Sequence, residues 1–267
     1  MTDPAQITAM ADRLWRAEVE RLPVAPLTDE WAELTAEDAY AIQGHNVERR
    51  VTAGAMVRGH KIGLTARAMQ SLLGVDEPDF GVLLDDMFIE EGDEVPFDAL
   101  VQPRVEAEMA FVLDRDLAGP GVTTVDALRA IAGVLPAIEV VDSRIADWRI
   151  ALADTVADNA SSGRVVLGGR LTPVTALDLR LTGVLLFRNG VAIESGAGAA
   201  ALGNPARCVA WLANTLGRLG SGLRRDDLVL SGALHRMVPV RPGDVFRARF
   251  AHLGAVTTGF GPMGRAA

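Results

Sequence analysis

The sequence is poor in cysteine, because Cys208 is the single one among 267 residues. An internal disulfide is excluded, and so is a zinc or iron–sulfur site built on a cluster of cysteines. A lone thiol is typical of chains that work in a reducing compartment, so we expect the protein to be cytoplasmic. Cys208 lies in a predicted amphipathic helix, where a small buried apolar side chain is its simplest role.

Long apolar runs are also missing. Residues 1–20 carry several charged side chains among their apolar positions, which is not the pattern of a signal peptide. Uncharged stretches such as 195–206 are too short and too rich in glycine and alanine to cross a bilayer, which takes about 20 apolar residues. We therefore expect neither export nor a membrane-spanning segment.

Positive charge is in the minority, with 26 basic residues against 35 acidic ones, a net charge of −9 and a pI of about 5.0. We therefore expect neither nucleic acid nor an anionic membrane surface as a partner, since both need a basic face. A hydrophobic share of 49% with 23% charged residues is ordinary for a globular protein with a full core.

Lysine is the scarcest charged residue, because Lys61 is the only one and every other basic residue is arginine. Arginine can supply a plain positive charge, whereas lysine can also lose its proton when it is desolvated. Lys61 is therefore a candidate for proton chemistry. The alternative is that one lysine remains by chance.

The first part of the chain has a helical pattern. Apolar residues from Ile7 to Val19 recur with a period of 3.6 until Pro23 and Pro26 interrupt them, and Thr35 with Asp38 predicts the capped start of a second helix. From about Met56 onward, short segments rich in valine, leucine and isoleucine alternate with glycine and proline, which is typical of strands. We expect an N-terminal helical region at 1–55 and a mixed-β catalytic domain at 56–267.

The predicted strands are rarely separated by regular helices, which favours an α+β fold over a doubly wound parallel sheet. Asn189-Gly190 predicts a tight hairpin between two strands. The strands are expected at 104–113, 134–141, 164–167, 182–188, 191–194, 227–230 and 245–250, and the two intervening helices at 124–133 and 205–219.

Carboxylates in two of these strands point to a metal site. Glu106 and Glu108 share one strand face, and Glu139 lies in the middle of an apolar strand, where an unpaired charge would cost several kcal/mol. Three carboxylates without cysteine or paired histidines form an oxygen-only ligand set that suits Mg²⁺ or Mn²⁺. A solvated face for Glu106 and Glu108, or an arginine partner such as Arg104 or Arg144, is the structural alternative.

Other polar segments are less specific. Lys61 lies between glycines that permit close approach of a ligand, and Asp79 lies in a segment rich in glycine and proline that predicts a loop. The segment 154–163 predicts a hydrogen-bonding loop, and His235 is more often structural than catalytic in such a context. Gly196-Ala-Gly198 lacks the third glycine and the acidic residue of a dinucleotide-binding loop.

Five ordered motifs resemble the 2-keto-4-pentenoate (2-hydroxypenta-2,4-dienoate) hydratase family of the fumarylacetoacetate hydrolase superfamily. They are GHKIGLT at 59–65, DEPDFG at 76–81, PRVEAE at 103–108, PAIEVVDSR at 136–144 and DTVADNA at 154–160. The resemblance extends over nearly the whole chain, including LGNP at 202–205 and SGALHRMVPVRPGD at 231–244.

The resemblance implies a mixed β-sheet roll or barrel of the fumarylacetoacetate hydrolase C-terminal type, a Mg²⁺ or Mn²⁺ ion and a cyclic homo-oligomer. Glu106, Glu108 and Glu139 match the family's metal ligands, and Lys61 and Asp79 match its acid–base residues. It also implies a substrate pocket lined by residues from two segments, namely Asn159, Ser161, Ser162, Gly232 and His235.

The activity implied is hydration of 2-hydroxypenta-2,4-dienoate to 4-hydroxy-2-oxopentanoate in aromatic or sterol meta-cleavage catabolism, with a downstream aldolase consuming the product. The short link at 145–153 favours the five-carbon monoacid as substrate. Alternatives are a 2-oxo-3-enedioate (4-oxalocrotonate) decarboxylase with the same metal ligands, an acylpyruvate hydrolase and a catalytically idle oligomer subunit.

Overall fold

The chain begins with helices whose ends follow from local capping. The computed structural model describes residues 3–67, 70–71 and 74–262. Helix α1 (Pro4–Glu20) starts where Asp3 accepts a hydrogen bond from the Ala5 amide, and a short α2 (Leu27–Glu30) follows. At the start of α3 (Ala36–Thr52), Thr35 and Asp38 form the predicted capping box.

The strands form two sheets. In chain order they are β1 (Val57–Gly63), β2 (Asp79–Leu84), β3 (Phe88–Ile89), β4 (Glu94–Val95), β5 (Pro103–Leu113), β6 (Ile131–Asp142), β7 (Ser162–Leu167), β8 (Gly183–Arg188), β9 (Val191–Ala197), β10 (Leu228–Leu230), β11 (Val238–Pro239), β12 (Val245–Phe250) and β13 (Gly254–Phe260). Within the described ranges, the larger sheet runs β2-β1-β10-β5-β6-β7-β3, with β11 also paired to β5. The smaller sheet runs β4-β13-β12-β8-β9.

Both sheets are mixed, as the α+β prediction requires. Neighbours β1 and β10 are parallel, whereas β5 and β6 form a long antiparallel pair at the centre of the larger sheet. Asn189 and Gly190 join β8 to β9 with φ values of 52° and 83°, the backbone that a two-residue hairpin turn needs. The predicted hairpin is thus confirmed.

Three more helices lie among the strands of the described chain: α4 (Thr124–Ala130), α5 (Leu152–Ala157) and α6 (Pro205–Arg218). The helix predicted at 124–133 ends earlier, because residues from Ile131 onward pair with β5. The loop predicted at 154–163 is wrong for its first part, where Asp154 accepts hydrogen bonds from the Ala151 amide and from Thr28 and caps α5. Long-range pairing and capping outweigh local pattern at both places.

Two hydrophobic cores matter for the site. The main core lies around β5, β6, the second sheet and α6, and includes Met109, Phe111 and Phe246. A second core joins α1 and α3 to residues 145–157, with Leu14, Ile42 and Val156 among its members. The N-terminal helices are therefore packed against the segment that leads into α5. In the described part of the chain, no helix is both long and apolar enough to cross a membrane.

Candidate active site

Three glutamates meet at the centre of the larger sheet. The β5–β6 register places Glu106 directly opposite Glu139, and Glu108 lies two residues further along the same face of β5. One carboxylate oxygen from each of these residues lies within 4.8 Å of the others. The strand register therefore builds the cluster that the sequence predicts.

The cluster is short of hydrogen-bond donors. Glu108 and Glu139 are only 1% and 0% exposed, and Glu108 Oε2 accepts a hydrogen bond from the Gly232 amide at 2.8 Å. Among the described residues, no hydrogen-bond donor reaches Glu108 Oε1 or Glu139 Oε2, and the cation near Glu139 Oε1 is the Lys61 ammonium at 3.4 Å. Buried carboxylate oxygens without donors are costly unless a cation neutralises them. The residues present therefore fit a divalent cation held by oxygen ligands.

Burial and mutual repulsion shift the proton affinity of the cluster. Burial raises the pKa of Glu106 to about 7, with Lys61 opposing the shift and Glu139 adding to it. Burial, followed by the charges of Glu139 and Glu106, also raises the pKa of Glu108 well above its ordinary value. Such a site binds a proton or a cation more readily than an isolated carboxylate does.

Lys61 lies beside this cluster on β1. Its Nζ donates a hydrogen bond to the carbonyl oxygen of Ala160 at 2.9 Å and lies 3.4 Å from Glu139 Oε1. Burial alone would lower the pKa of Lys61, but the charges of Glu139 and Asp79 outweigh it and raise the pKa above its ordinary value. The arginine alternatives fail for Glu139, because Arg144 pairs with Asp158 and Lys61 is the cation within ion-pair distance of Glu139 in the described structure.

Asp79 is the first residue of β2, so the predicted loop is wrong at this position. Its register partner is Gly63 on β1, where a Cβ atom would lie 2.1 Å from Asp79 Oδ1. A glycine at residue 63 therefore leaves room for this carboxylate. Burial raises the pKa of Asp79 against the charge of Lys61, and no described donor reaches its Oδ1.

A cavity of about 500 Å³ opens onto these groups. Lys61, Asp79 and Glu106 line it, together with a polar and apolar wall of Thr65, Arg104, Asp147, Trp148, Ile150, Thr155, Ser161, His235, Arg236 and Met237, among others. The cavity lining therefore combines charged, polar and apolar groups, as in ligand-binding sites.

The predicted pocket residues divide into two groups. Ser161 and His235 line the cavity, but both ring nitrogens of His235 are engaged by backbone: Nε2 accepts from the Ala107 amide and Nδ1 lies 2.7 Å from the Arg236 carbonyl oxygen. Gly232 contacts Glu108 instead of the cavity. The two remaining predicted residues, Asn159 and Ser162, lie outside the cavity lining, where Asn159 binds the backbone of Val82 and Ser162 donates to the Asn159 carbonyl.

Arg104 and Trp148 are cavity residues that the sequence prediction did not place there. The guanidinium of Arg104 lies over the Trp148 ring at 4.5 Å, and the ring nitrogen of Trp148 donates to the Gln102 carbonyl. Strand alternation was an available signal, since Arg104 lies two residues before Glu106 and so shares its face. The position of Trp148 had no such signal, because it follows from a turn in which Asp147 and Trp148 both have positive φ.

The glycine pair at 196–198 has a structural explanation. A Cβ atom at Gly196 would lie 1.9 Å from the Leu234 carbonyl oxygen, so this glycine permits close backbone packing at the end of β9. The dinucleotide-loop interpretation stays rejected on spacing. Cys208 is fully buried in α6, as predicted.

A carboxylate cluster, a lysine and an aspartate beside one cavity form the kind of site that can hold a cation and exchange protons with a small bound molecule. Comparison with known proteins agrees with this class. Residues 49–260 match the family described as fumarylacetoacetate (FAA) hydrolase C-terminal. The chain belongs to the fumarylacetoacetate hydrolase family, and the predicted fold class is thereby confirmed.

Individual members of the family are similar to this chain over most of its length. The chain is 49% identical over 257 residues, 96% of both chains, to a 2-keto-4-pentenoate hydratase of Paraburkholderia xenovorans. It is 50% identical to a 2-hydroxypent-2,4-dienoate hydratase of Pseudomonas putida, over 82% of this chain and 99% of the relative. A 4-oxalocrotonate decarboxylase from Pseudomonas putida G7, solved with magnesium and adipate, superposes with a TM-score of 0.95 at 36% identity, covering 97% of this chain and 99% of the other.

Proposed function

We propose that this protein is a metal-dependent hydro-lyase that adds water to 2-hydroxypenta-2,4-dienoate and forms 4-hydroxy-2-oxopentanoate. The observation that carries the proposal is the similarity to hydratases along 96% of the chain, together with a cavity that ends at Lys61, Asp79 and the glutamate cluster. The product is a 4-hydroxy-2-oxo acid, which a retro-aldol reaction can cleave, so an aldolase is the expected next enzyme.

Glu106, Glu108 and Glu139 are the residues that would hold a divalent cation, with Mg²⁺ or Mn²⁺ as the proposed ion. When bound, the cation supplies positive charge that stabilises an enolate of the substrate. Structures of the related decarboxylase contain magnesium and, in a second crystal, calcium. Both ions prefer oxygen ligands, as this cluster offers.

Lys61 and Asp79 supply the proton transfers in this proposal. The reaction needs a proton delivered to C5 as the 2-hydroxyl loses one, and a second proton delivered to C3 as water adds at C4. Asp79 suits proton exchange, because its pKa is raised by burial and its Oδ1 is free of described donors. Lys61 suits donation of a proton and stabilisation of negative charge on the substrate, because its pKa is raised and its ammonium is held by Ala160 O and Glu139.

The rest of the cavity excludes water and orients the substrate. Trp148, Ile150 and Met237 offer apolar contacts to the hydrocarbon part of a dienoate, while Lys61, Asp79 and Glu106 offer polar ones. Ser161, one of the residues predicted to line the pocket, contributes a side-chain hydroxyl to the cavity wall. The proposed assembly is a cyclic homo-oligomer, which sedimentation of the purified protein tests directly.

One observation favours a second candidate, a 2-oxo-3-enedioate decarboxylase. Arg104 lines the cavity with its guanidinium stacked on Trp148, and this guanidinium has no hydrogen bond or ion pair with a described residue. A guanidinium in that position matches the second carboxylate of a dicarboxylic substrate. The solved decarboxylase, whose complex contains the dicarboxylate adipate, shares this fold closely.

The deciding experiment follows the ultraviolet absorbance of freshly prepared 2-hydroxypenta-2,4-dienoate with Mg²⁺ and then with EDTA, and identifies the product by mass. Gain of one water that EDTA abolishes supports the hydratase. Release of CO₂ from 2-oxo-3-hexenedioate, without hydration of the five-carbon acid, assigns the protein to the decarboxylase branch. Turnover of neither substrate rejects both.

A further inference from the structure

Three successive residues between α5 and β7 adopt a left-handed backbone. Asn159, Ala160 and Ser161 have φ values of 52°, 50° and 54°, although none of them is glycine. Each such residue costs roughly 1–2 kcal/mol relative to a right-handed conformation. A run of three persists only if surrounding contacts hold it, and strained backbone of this kind is concentrated at functional sites.

The side chain of Asn159 anchors this turn to the edge of the larger sheet. Strand β2 is at one end of the sheet order, so one side of it has no strand partner in the described structure. Asn159 Oδ1 accepts from the Val82 amide at 2.7 Å, and Asn159 Nδ2 donates to the Val82 carbonyl oxygen at 2.9 Å. The amide side chain thus occupies the place of a neighbouring strand. Only a residue with both a donor and an acceptor at this length satisfies both bonds.

The turn lies close against β2 at Gly81, and hydrogen bonds within its own segment hold its shape. A Cβ atom on Gly81 would lie 2.4 Å from the Asn159 carbonyl oxygen, so glycine at this position lets the turn approach the strand. The hydroxyl of Ser162 donates to the same carbonyl oxygen at 2.8 Å. On the other side, the Ser161 amide donates to the Asp158 carbonyl oxygen, and the buried Arg144 binds Asp158.

The turn directs one carbonyl oxygen toward the site. Ala160 O accepts a hydrogen bond from Lys61 Nζ at 2.9 Å, and Ala160 itself lines the cavity. The same β2 strand that receives Asn159 begins with Asp79, the second acid–base residue. One side chain therefore connects the strand of Asp79 to the carbonyl oxygen that holds Lys61.

We propose that Asn159 is a positioning residue: by clamping the left-handed turn to Val82, it fixes the Ala160 carbonyl oxygen and hence the location of the Lys61 ammonium relative to Asp79. This inference rests on the proposed function for its kinetic consequence. In this proposal Asn159 does not contact the substrate and acts on Lys61 through the backbone carbonyl of Ala160.

The chain contains a matched control for this clamp. Asn214 on α6 binds the backbone of Val122 in the same way, with Oδ1 accepting from the amide at 2.9 Å and Nδ2 donating to the carbonyl oxygen at 2.8 Å. Neither Asn214 nor Val122 lines the cavity. Replacing either asparagine with alanine removes the same two hydrogen bonds, but only one change disturbs the turn that holds Lys61.

Kinetics with Asn159→Ala and Asn214→Ala test the proposal. We expect Asn159→Ala to lose more thermal stability than Asn214→Ala, because alanine is disfavoured at a φ of 52° and favoured inside a helix. Asn159→Ala alone should lower kcat by about 10- to 100-fold with little change in KM. In a Lys61→Ala background, Asn159→Ala should lower the residual kcat no further, because its effect passes through Lys61. Equal kcat losses in both asparagine variants, or an undiminished effect in that background, would overturn the proposal.

A second readout does not depend on turnover. Because Lys61 is the only lysine, protein grown with ¹³C-lysine gives one side-chain spin system in solution NMR. We expect two separate ε-proton shifts in the wild type and in Asn214→Ala, and their convergence in Asn159→Ala as the ammonium loses its fixed orientation. An unchanged Lys61 spectrum in Asn159→Ala contradicts positioning. If the wild type turns over no proposed substrate, the proposed function fails and the spectrum still decides this inference.

Discussion

Glu106 on β5 and Glu139 on β6 are direct cross-strand partners in the interior of the larger sheet. Two like charges at such a position destabilise a sheet, and burial increases their cost. Glu108 Oε1 and Glu139 Oε2, which no described hydrogen-bond donor reaches, add to this cost. The cluster therefore lowers the stability of the protein, and the same carboxylates are able to bind a cation.

The first prediction concerns stability with and without that cation. Glu108→Gln keeps an acceptor for the Gly232 amide and removes one ionisable carboxyl group from the cluster. In EDTA we expect its free energy of unfolding to rise by on the order of 1 kcal/mol. Mg²⁺ at about 100 times its dissociation constant should stabilise the wild type by about 2.7 kcal/mol and this variant far less. Thermal unfolding measures both, with the exposed Glu20→Gln as control; equal Mg²⁺ effects in all three proteins would exclude Glu108 as a ligand.

The second prediction concerns the single lysine. Lys61→Arg retains a positive charge, but the planar guanidinium cannot match the position of Nζ between Ala160 O and Glu139 or exchange its proton. We expect kcat to fall by at least about 100-fold, the usual contribution of a positioned proton-transfer group. Calorimetric Mg²⁺ binding should persist, which separates this loss from metal loss. Turnover like that of the wild type would show that Lys61 takes no part in proton transfer.

The third prediction concerns acid stability and His60. Its Nδ1 is buried without a described hydrogen-bond partner, and burial lowers the pKa of His60 to about 4 from an ordinary value near 6.5. Between these pH values the unfolded chain binds a proton that the folded protein does not, so stability is lost as pH falls from about 6.5 to 4. The loss from this group is at most about 3 kcal/mol.

The ring-preserving variant His60→Phe should therefore gain stability relative to the wild type as pH falls through this window, while the buried carboxylates contribute equally to both. Denaturant unfolding at pH 7, 5.5 and 4.5 measures the difference. His252→Asn is the control, at an exposed position where asparagine suits a φ of 62°. A stability difference between His60→Phe and wild type that does not vary with pH contradicts the prediction.

The fourth prediction concerns the ion pair of Arg144 and Asp158. Both side chains are buried, and burial raises the pKa of Asp158 to about 6 even though Arg144 lowers it. Arg144→Met leaves this carboxylate without its partner, so we expect a loss of about 3–5 kcal/mol in the free energy of unfolding at pH 7.5. The exposed pair of Arg149 and Asp29 is the control, since Arg149→Met should cost at most about 1 kcal/mol. Similar losses of unfolding free energy in Arg144→Met and Arg149→Met would show that the buried ion pair contributes no more than the exposed one.

The fifth prediction concerns substrate choice and Arg104. Its guanidinium stacks on Trp148 in the cavity wall and is expected to pair with a distal carboxylate. Arg104→Gln should weaken binding of 2-oxo-3-hexenedioate, as substrate or as competitive inhibitor, by about tenfold or more, since a charge-assisted hydrogen bond contributes about 1.5–3 kcal/mol. KM for the five-carbon monoacid should change little. Steady-state kinetics with both acids measure these effects. Equal effects on the monoacid and the dicarboxylate would show that Arg104 does not select for a second carboxylate.

Strand patterns allowed much of the site to be predicted. Alternation placed Glu106 and Glu108 on one face of a strand, and the cost of an unpaired charge marked Glu139. Their direct opposition needed the register of β5 and β6, which depends on pairing between distant segments. The same pairing ended α4 at Ala130 and extended β6 beyond its predicted start.

Loop-borne features could not be predicted in this way. The left-handed backbone at residues 159–161 has no glycine to signal it, and the family resemblance implied only that Asn159 and Ser162 line the substrate pocket. Their actual partners are backbone groups of Val82 and of Asn159 itself, which only the tertiary structure brings near. Polar composition predicted that this segment makes hydrogen bonds, but not with which groups.

The second core has a consequence for how the enzyme can be altered. Leu14 and Ile42 from the N-terminal helices share this core with Ile145 and Val156, which flank the cavity-wall residues Trp148 and Ile150. Removing residues 1–52 would remove the side chains that pack behind one wall of the pocket, so the N-terminal helices are part of the site's support. Because α1 packs behind this wall, we expect some substitutions on α1 to change which substrates the pocket accepts.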